Sequence, residues 1–247
     1  GAELDDSTWI ELVTALAAFK PTFYITGGEP LLASTLIPII RTIKQHGCYV
    51  SLNTNGVMLE QRAAELLDAG VDKIIVSLDG PPAVHDSVRG ESFDALARGI
   101  REVQRLMKAR GVKRPVIRLQ CVISHLNLEH LEETVEEAAK LGCGEIRFQH
   151  PIFAFSPEAC RVTESMKLLL NKVDISRPRR QWVDLTGQAA LDTITRLVER
   201  SAETTTIAFE PDVQTKDIVG YYDEAAHPFP ELCLSPWRRM DVSPAGD

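Results

Sequence analysis

The sequence predicts an α/β fold whose parallel sheet is curved like an incomplete barrel. Two observations carry this expectation. A short β-rich run, a Gly or Asn turn and a helical stretch recur in that order between Thr22 and Gln149, the signature of a parallel sheet built from right-handed βαβ units. Along each strand-like run, polar residues alternate with apolar ones and gather toward the C-terminal end. That pattern suits a sheet with helices on one side and a polar hollow on the other.

The elements follow in order. A first helix is expected at about Thr8–Phe19, opened by Asp5, Asp6 and Ser7 and by a Thr8/Glu11 pair at capping-box spacing. No strand precedes it, although a parallel unit ordinarily begins with one, so a first strand and its loop are expected upstream of Gly1. Strand-like runs begin near Thr22, Cys48, Lys73, Val116 and Glu145. Between them, Leu36, Ile39, Ile40 and Ile43 make one helical stripe that stops at Gly47, and Leu66 and Leu67 precede Gly70. Leu96, Ile100, Val103 and Met107 form a third stripe ending before Gly111, and Leu128, Leu131, Val135 and Ala138 a fourth ending at Gly142. After Pro151 the pattern loosens. A basic, Pro-containing stretch over 175–180 reads as a loop, followed by a helix at about Gln188–Ala202 and a short strand at Thr205–Phe209.

Side chains two apart on a strand share a face. One face carries Tyr24/Thr26, Ser51/Asn53, Ser77/Asp79, Arg118/Gln120 and Arg147/Gln149. The other carries Phe23/Ile25, Val50/Leu52, Ile74/Val76/Leu78, Ile117/Leu119 and Ile146/Phe148. A doubly wound sheet, covered on both faces, would read apolar on both. In βα barrels the chemistry sits where these polar residues cluster, at the C-terminal strand ends.

Composition narrows the function. A chain of 247 residues suits one large domain, or a domain plus a fragment of another. Apolar residues make up 44% and charged residues 25%, ordinary for a globular protein. The formal charge of −8, from 27 basic and 35 acidic residues, argues against nucleic acid as a partner and favours a small molecule or peptide. No apolar stretch is long enough for a membrane span, and no basic n-region with an apolar run opens the chain. The five cysteines, Cys48, Cys121, Cys143, Cys160 and Cys233, are odd in number and form no C-x-x-C pair. That excludes a secreted disulfide framework and a complete cysteine metal site, and points to a reducing cytoplasm.

The sharpest motif is Thr26-Gly27-Gly28-Glu29-Pro30, placed after a strand and before a helix. Two glycines let backbone groups meet a ligand, and Pro30 suits a helix start; a plain strand-to-helix turn explains the motif alone about as well. Asn53-Thr54-Asn55-Gly56 follows the next strand and Ser77-Leu78-Asp79-Gly80 the one after, then His85-Asp86 and Arg89-Gly90. The set resembles the radical S-adenosylmethionine (SAM) superfamily over about residues 1–155, where a GGEP turn binds the cofactor's amino group. The resemblance implies a TIM-like partial (β/α)6 barrel. Cys233-Leu-Ser-Pro-Trp237, with Gly246 after a spacer of twelve residues, resembles the start of a SPASM or twitch domain. Cys233 would then be an auxiliary-cluster ligand rather than a buried small hydrophobe. The domain organisation implied is a barrel core over 1–155, last helices and linker over 156–230, and the start of the SPASM/twitch-like region, truncated, over 231–247.

The chain departs from the family in lacking the C-x-x-x-C-x-x-C triad that binds the catalytic [4Fe–4S] cluster. That segment is expected upstream of Gly1, and a degenerate, non-catalytic peptide-binding homologue is the competing explanation. An unrelated TIM-barrel lyase or isomerase would need a late Gly-rich phosphate loop and a Lys or Glu base, and neither stands out.

The resemblance implies reductive cleavage of S-adenosylmethionine to a 5′-deoxyadenosyl radical, hydrogen abstraction from a peptide or small-molecule substrate, and an electron donor such as flavodoxin or ferredoxin. By position, Gly27, Gly28, Glu29 and Pro30 would surround the methionine amino group, and Ser77 and Asp79 would contact the ribose. Arg89 would pair with the methionine carboxylate or, equally, make an exposed salt bridge with Asp86 or Glu91. Gln120 and Asn127 would contact ribose or carboxylate. His150 would stack near adenine, face substrate or serve as a structural histidine. Asn55 would face the cavity or, in preference, supply turn geometry; His125 and His130 read as surface residues, and Cys48, Cys121 and Cys143 as packing. No catalytic acid or base is identified.

Overall fold

The computed structural model describes residues 4–151, 185–199, 205–223 and 242. The basic 175–180 stretch, Cys160, Cys233 and Gly246 lie outside the described residues.

The chain opens with α1 (Asp6–Ala17), which begins two residues before the expected start. The reason is its cap. Asp5 accepts hydrogen bonds from the Thr8 N–H at 2.8 Å and the Ser7 hydroxyl at 2.6 Å. Asp5 thereby satisfies a first-turn donor that the Thr8/Glu11 pair was expected to cover. Then follow β1 (Thr22–Ile25), α2 (Leu36–Gln45), β2 (Tyr49–Thr54), α3 (Leu59–Ala69), β3 (Lys73–Ser77), α4 (Pro82–Arg89), α5 (Phe93–Arg110), β4 (Val116–Val122), α6 (Leu131–Lys140), β5 (Glu145–Gln149), α7 (Gly187–Glu199), β6 (Thr206–Glu210) and α8 (Ile218–Asp223). Gly70 and Gly111 close α3 and α5 in the left-handed conformation.

The strands form one sheet in the order β1-β2-β3-β4-β5-β6, every pair parallel. Sequential order joined by right-handed crossovers places successive helices on the same face. Consistent with this, α1 packs on α2, α2 on α3, α3 on α5 and α6 on α7. The barrel-like alternative to a doubly wound sheet is therefore the observed one. Val50, Leu52, Ile74, Val76, Leu119, Ile146 and Phe148 point under the helices and are fully buried. Each such side chain contributes roughly 1.5–3 kcal/mol. Helices α3 and α5 approach closely because Gly99 has no side chain: a Cβ there would lie 2.7 Å from that of Leu59.

At the N-terminal end of the sheet, Asp72 joins three elements. Its carboxylate accepts from the Lys44 ammonium at 2.6 Å, the buried Val50 N–H at 2.9 Å and the Arg114 guanidinium at 2.8 Å. Arg114 also lies over the Tyr49 ring, 5.5 Å from its centre. Replacing Asp72 by Ala strands the Val50 donor, so Asp72→Ala should destabilise by about 2 kcal/mol, read as a lower urea midpoint at unchanged slope. An unchanged midpoint would remove Asp72 from this role.

Candidate functional site

At the opposite end, the strand tips open on one cleft of about 210 Å³. Its wall comes from Gly27 and Gly28 after β1, Asn53, Thr54 and Asn55 at the end of β2, Ser77 of β3, Arg89 of α4, Gln120 and Val122 of β4, and Gln149 of β5.

The first turn is shaped by Gly27, whose φ of +149° disfavours a side chain. A Cβ at Gly27 or Gly28 would meet no atom within 4 Å, so this backbone faces open space. Pro30 is buried and opens the 3-10 turn Pro30–Leu32, the helix start expected of it, and it does not line the cleft. Glu29 does not line the cleft. Its carboxylate accepts from the Leu31 N–H at 3.1 Å, the Thr54 hydroxyl at 2.7 Å and the Asn55 N–H at 2.8 Å. Glu29 therefore ties the β1 turn to the β2 turn. Thr54 accepts from the Gly56 N–H at 3.0 Å, and the Asn55 side chain accepts from the Val57 N–H at 2.9 Å. Asn55 thus supplies turn geometry, as expected, while also lining the cleft. Asn53 offers an amide oxygen that is buried and has no hydrogen-bond partner.

A second buried set holds the β3, β4 and α4 tips together. Asp79, 3% exposed, accepts from the Val122 N–H at 3.0 Å and from Arg89 Nε. Asp79 does not line the cleft, whereas Ser77 and Arg89 do. Arg89 does not pair with Asp86 or Glu91: Asp86 accepts the Ser92 and Phe93 N–H groups at the start of α5, and Arg89 is anchored on Asp79 through Nε alone. The Asp79 N–H donates to His85 Nδ1 at 3.2 Å, and His85 Nε2 lies 3.1 Å from the Ser92 hydroxyl. Because Nδ1 accepts, the proton sits on Nε2. Burial, opposed by the Asp79 charge, lowers the pKa of His85 and keeps it neutral.

Asn127 is fully buried. Its amide nitrogen donates to the backbone oxygens of Asp79 at 3.0 Å and Val122 at 2.9 Å, and its oxygen accepts from the Ser124 N–H at 2.8 Å. Both amide N–H groups and one lone pair of the oxygen clamp the β3 and β4 turns, and Asn127 does not line the cleft. His150 is 1% exposed, bonded through Nδ1 to the Tyr222 hydroxyl at 2.8 Å and stacked on Phe209 at 5.7 Å. It is the structural histidine of the three alternatives. Burial lowers its pKa to about 4. Gln120 lines the cleft and donates to Gln149 at 2.6 Å.

Four wall residues were not singled out as site residues in the sequence. Asn53 and Gln149 lie on the polar face by alternation, which was the available signal. Thr54 falls on the opposite face by that count, and Val122 carries no polar signal at all. His125 is exposed and His130 half-buried. Cys48, Cys121 and Cys143 are free and buried; burial pushes the Cys121 thiol well up and the Cys143 thiol to about 12, poor preparation for a thiolate ligand. Among the described residues no group of three His, Cys, Asp or Glu side chains could hold a metal ion, and no helix is long and apolar enough to cross a membrane.

Comparisons with known proteins agree with the fold. The family model described as the Radical SAM superfamily matches residues 1–138. A probable GTP 3′,8-cyclase of Methanococcus aeolicus is 35% identical over 123 residues, 48% of this chain and 39% of that one. The PqqA peptide cyclase of Ruegeria pomeroyi is 34% identical over 143 residues, 57% of this chain and 37% of that one. The matches thus span about two-fifths of the length of these relatives. Streptococcus suis SuiB bound to precursor peptide SuiA superposes with a TM-score of 0.60 at 11% identity, covering 87% of this chain and 44% of that one. Native anSMEcpe with bound AdoMet and Kp18Cys peptide gives 0.56 at 17% identity, covering 84% and 56%. At such identities these likenesses concern the fold.

Two outcomes test the supporting structure. Asn127→Ala leaves two carbonyls and one N–H without partners, and should cost about 2–4 kcal/mol in a urea titration; a loss within the scatter of surface substitutions would show that water replaces the amide. His150 must stay neutral to remain buried. Its folded pKa of about 4 lies below the ordinary 6.5, so its contribution is complete above pH 6.5 and is lost as pH falls toward 4. This contribution is about 3 kcal/mol. Tm should therefore fall more steeply over that window in the wild type than in His150→Gln, and equal slopes would contradict it.

Proposed function

The chain belongs to the radical SAM superfamily, and from that premise we propose that it forms the S-adenosylmethionine-binding core of an enzyme acting on a peptide or small-molecule substrate. The observation that carries this reading is the convergence, in one cleft, of unencumbered Gly27–Gly28 backbone, an unpartnered buried amide oxygen on Asn53, and an arginine anchored by only one of its nitrogens. A methionine moiety needs these partners. Its ammonium requires acceptors, which Asn53 and the glycine backbone supply, and its carboxylate requires a cation, for which the Arg89 fork is suited. Ser77 and the Gln120–Gln149 pair offer hydroxyl and amide groups for a ribose.

Bound here beside a reduced [4Fe–4S] cluster, S-adenosylmethionine would supply radical chemistry for hydrogen abstraction from the substrate. The chain's own residues bind, orient and shield. Glu29, Asp79, His85 and Asn127 fix the strand-tip turns so that the wall keeps its shape. The described residues offer the cluster no ligand, and the 247 residues contain no C-x-x-x-C-x-x-C triad. Cys233 and Gly246 begin a SPASM/twitch-like region holding an auxiliary cluster, and a reduced flavodoxin or ferredoxin supplies the electron. Likeness to a peptide cyclase supports a peptide substrate, and likeness to the GTP 3′,8-cyclases a nucleotide.

The full-length protein, reconstituted anaerobically with iron and sulfide, should release 5′-deoxyadenosine and methionine on reduction; a clearly loaded cluster without that product would overturn the reading. Arg89→Lys keeps a charge beside Asp79 but loses the planar fork, so it should weaken S-adenosylmethionine binding by about tenfold at nearly unchanged Tm. Unchanged affinity would separate Arg89 from the cofactor.

A further inference from the structure

The concave face of the sheet carries a second feature beneath the cleft. Strand registers align Ser77, Gln120 and Arg147 in one row, so Arg147 is the cross-strand neighbour of a cleft residue. The row below places Ile75 beside Arg118, and Arg118 bonds weakly to Glu145 at 3.4 Å. Lys73 lies on the same face, two residues before Ile75. Three cations therefore share this floor with two carboxylates, Glu145 and Glu210, and Glu210 stands at the rim with its side chain 55% exposed.

The floor cations are not saturated. Arg147 reaches Glu210 at 2.7 Å and Glu145 only at 3.9 Å. Arg118 has its side chain 10% exposed. The Nε atoms of both arginines are buried without a hydrogen-bond partner. Lys73 makes no ion pair among the described residues, and burial together with the nearby Arg118 lowers its pKa while Glu145 opposes the shift. Unsatisfied guanidinium donors in a partly buried site are costly. They are stabilised by an oxyanion that accepts two parallel hydrogen bonds.

We propose that Arg118, Arg147 and Lys73 form a subsite for an anionic group of the substrate, a carboxylate or a phosphate, on the floor next to the cofactor cleft. This rests on the cleft being the S-adenosylmethionine site, since only then does the floor lie where a substrate hydrogen would be presented. The anion would fix the substrate at one end while another part of it faces the cleft. Glu145 sets the affinity by competing for Arg118.

Calorimetric titration of the protein with pyrophosphate and, separately, with glutarate tests this without a loaded cluster. One of the two should bind at low ionic strength and weaken on adding salt. Arg147→Gln should weaken that binding by about tenfold, the worth of one charge-assisted pair. Arg118→Lys, which keeps the charge but not the fork, should weaken it less. Arg98→Gln, an exposed residue paired with Glu60, should leave it unchanged, with near-ultraviolet circular dichroism checking that each variant is folded. Preference for pyrophosphate identifies a phosphorylated substrate, and preference for glutarate an acidic peptide or organic acid. Absence of binding by both anions, or equal binding by wild type and both floor variants, overturns the subsite. S-adenosylhomocysteine titrated into the same samples separates the two readings: retained binding there with no anion binding rejects the floor alone, whereas loss there rejects the cleft.

Discussion

Where a parallel strand ends, its last backbone donors and acceptors have no ladder partner, and the rim of this protein is organised around satisfying them. Glu29 takes the N–H groups of Leu31 and Asn55, Asp79 takes that of Val122, and Asn127 serves the carbonyls of Asp79 and Val122 and the N–H of Ser124. These three side chains link turns that are distant in sequence, so the cleft wall depends on them. A change at any one leaves buried polar groups unpaired on two elements at once.

This division of labour frees the wall. Asn53, Ser77, Arg89, Gln120 and Gln149 are held by a backbone fixed from behind and keep polar capacity toward the cleft. His85 illustrates the same logic through its protonation state. It is useful to the rim only as an acceptor for the Asp79 N–H; a proton on Nδ1 would set two donors against each other. Burial holds it neutral and thereby fixes the Asp79 turn.

Most of the fold was legible in the sequence because the period-2 alternation of its strands is physically unambiguous. Helices cover one face, so the apolar set had to be Val50, Leu52, Ile74, Leu119 and Ile146, and the polar set had to face the hollow. The helix start was read late because Asp5 and Thr8 are both competent caps, and only geometry shows which oxygen meets a free N–H. The site was half legible. Gly27, Gly28, Ser77, Arg89 and Gln120 stand in the wall, while Glu29, Asp79, Asn127 and His150 stand behind it. A sequence shows that a polar residue sits at a strand tip, but it does not show whether backbone groups already consume its lone pairs. Thr54 and Val122 reach the wall where strand gives way to turn, and the alternation no longer applies there.

The residues behind the wall still act on what occupies it. Asp79 is neutralised at close range by Arg89, but Glu29 is met only by two backbone N–H groups and a hydroxyl. Its negative charge is stabilised by dipoles, with no ion-pair partner among the described residues, so it persists as a field beside the turns that follow β1 and β2. On the floor, Lys73, Arg118 and Arg147 outnumber Glu145 and Glu210 by one charge and set a field of opposite sign. A ligand carrying an ammonium at one end and a carboxylate near the other would be oriented by that gradient before any contact forms. Electrostatic preorganisation of this kind costs no rearrangement on binding, because the same hydrogen bonds that hold the turns also hold the charges in place.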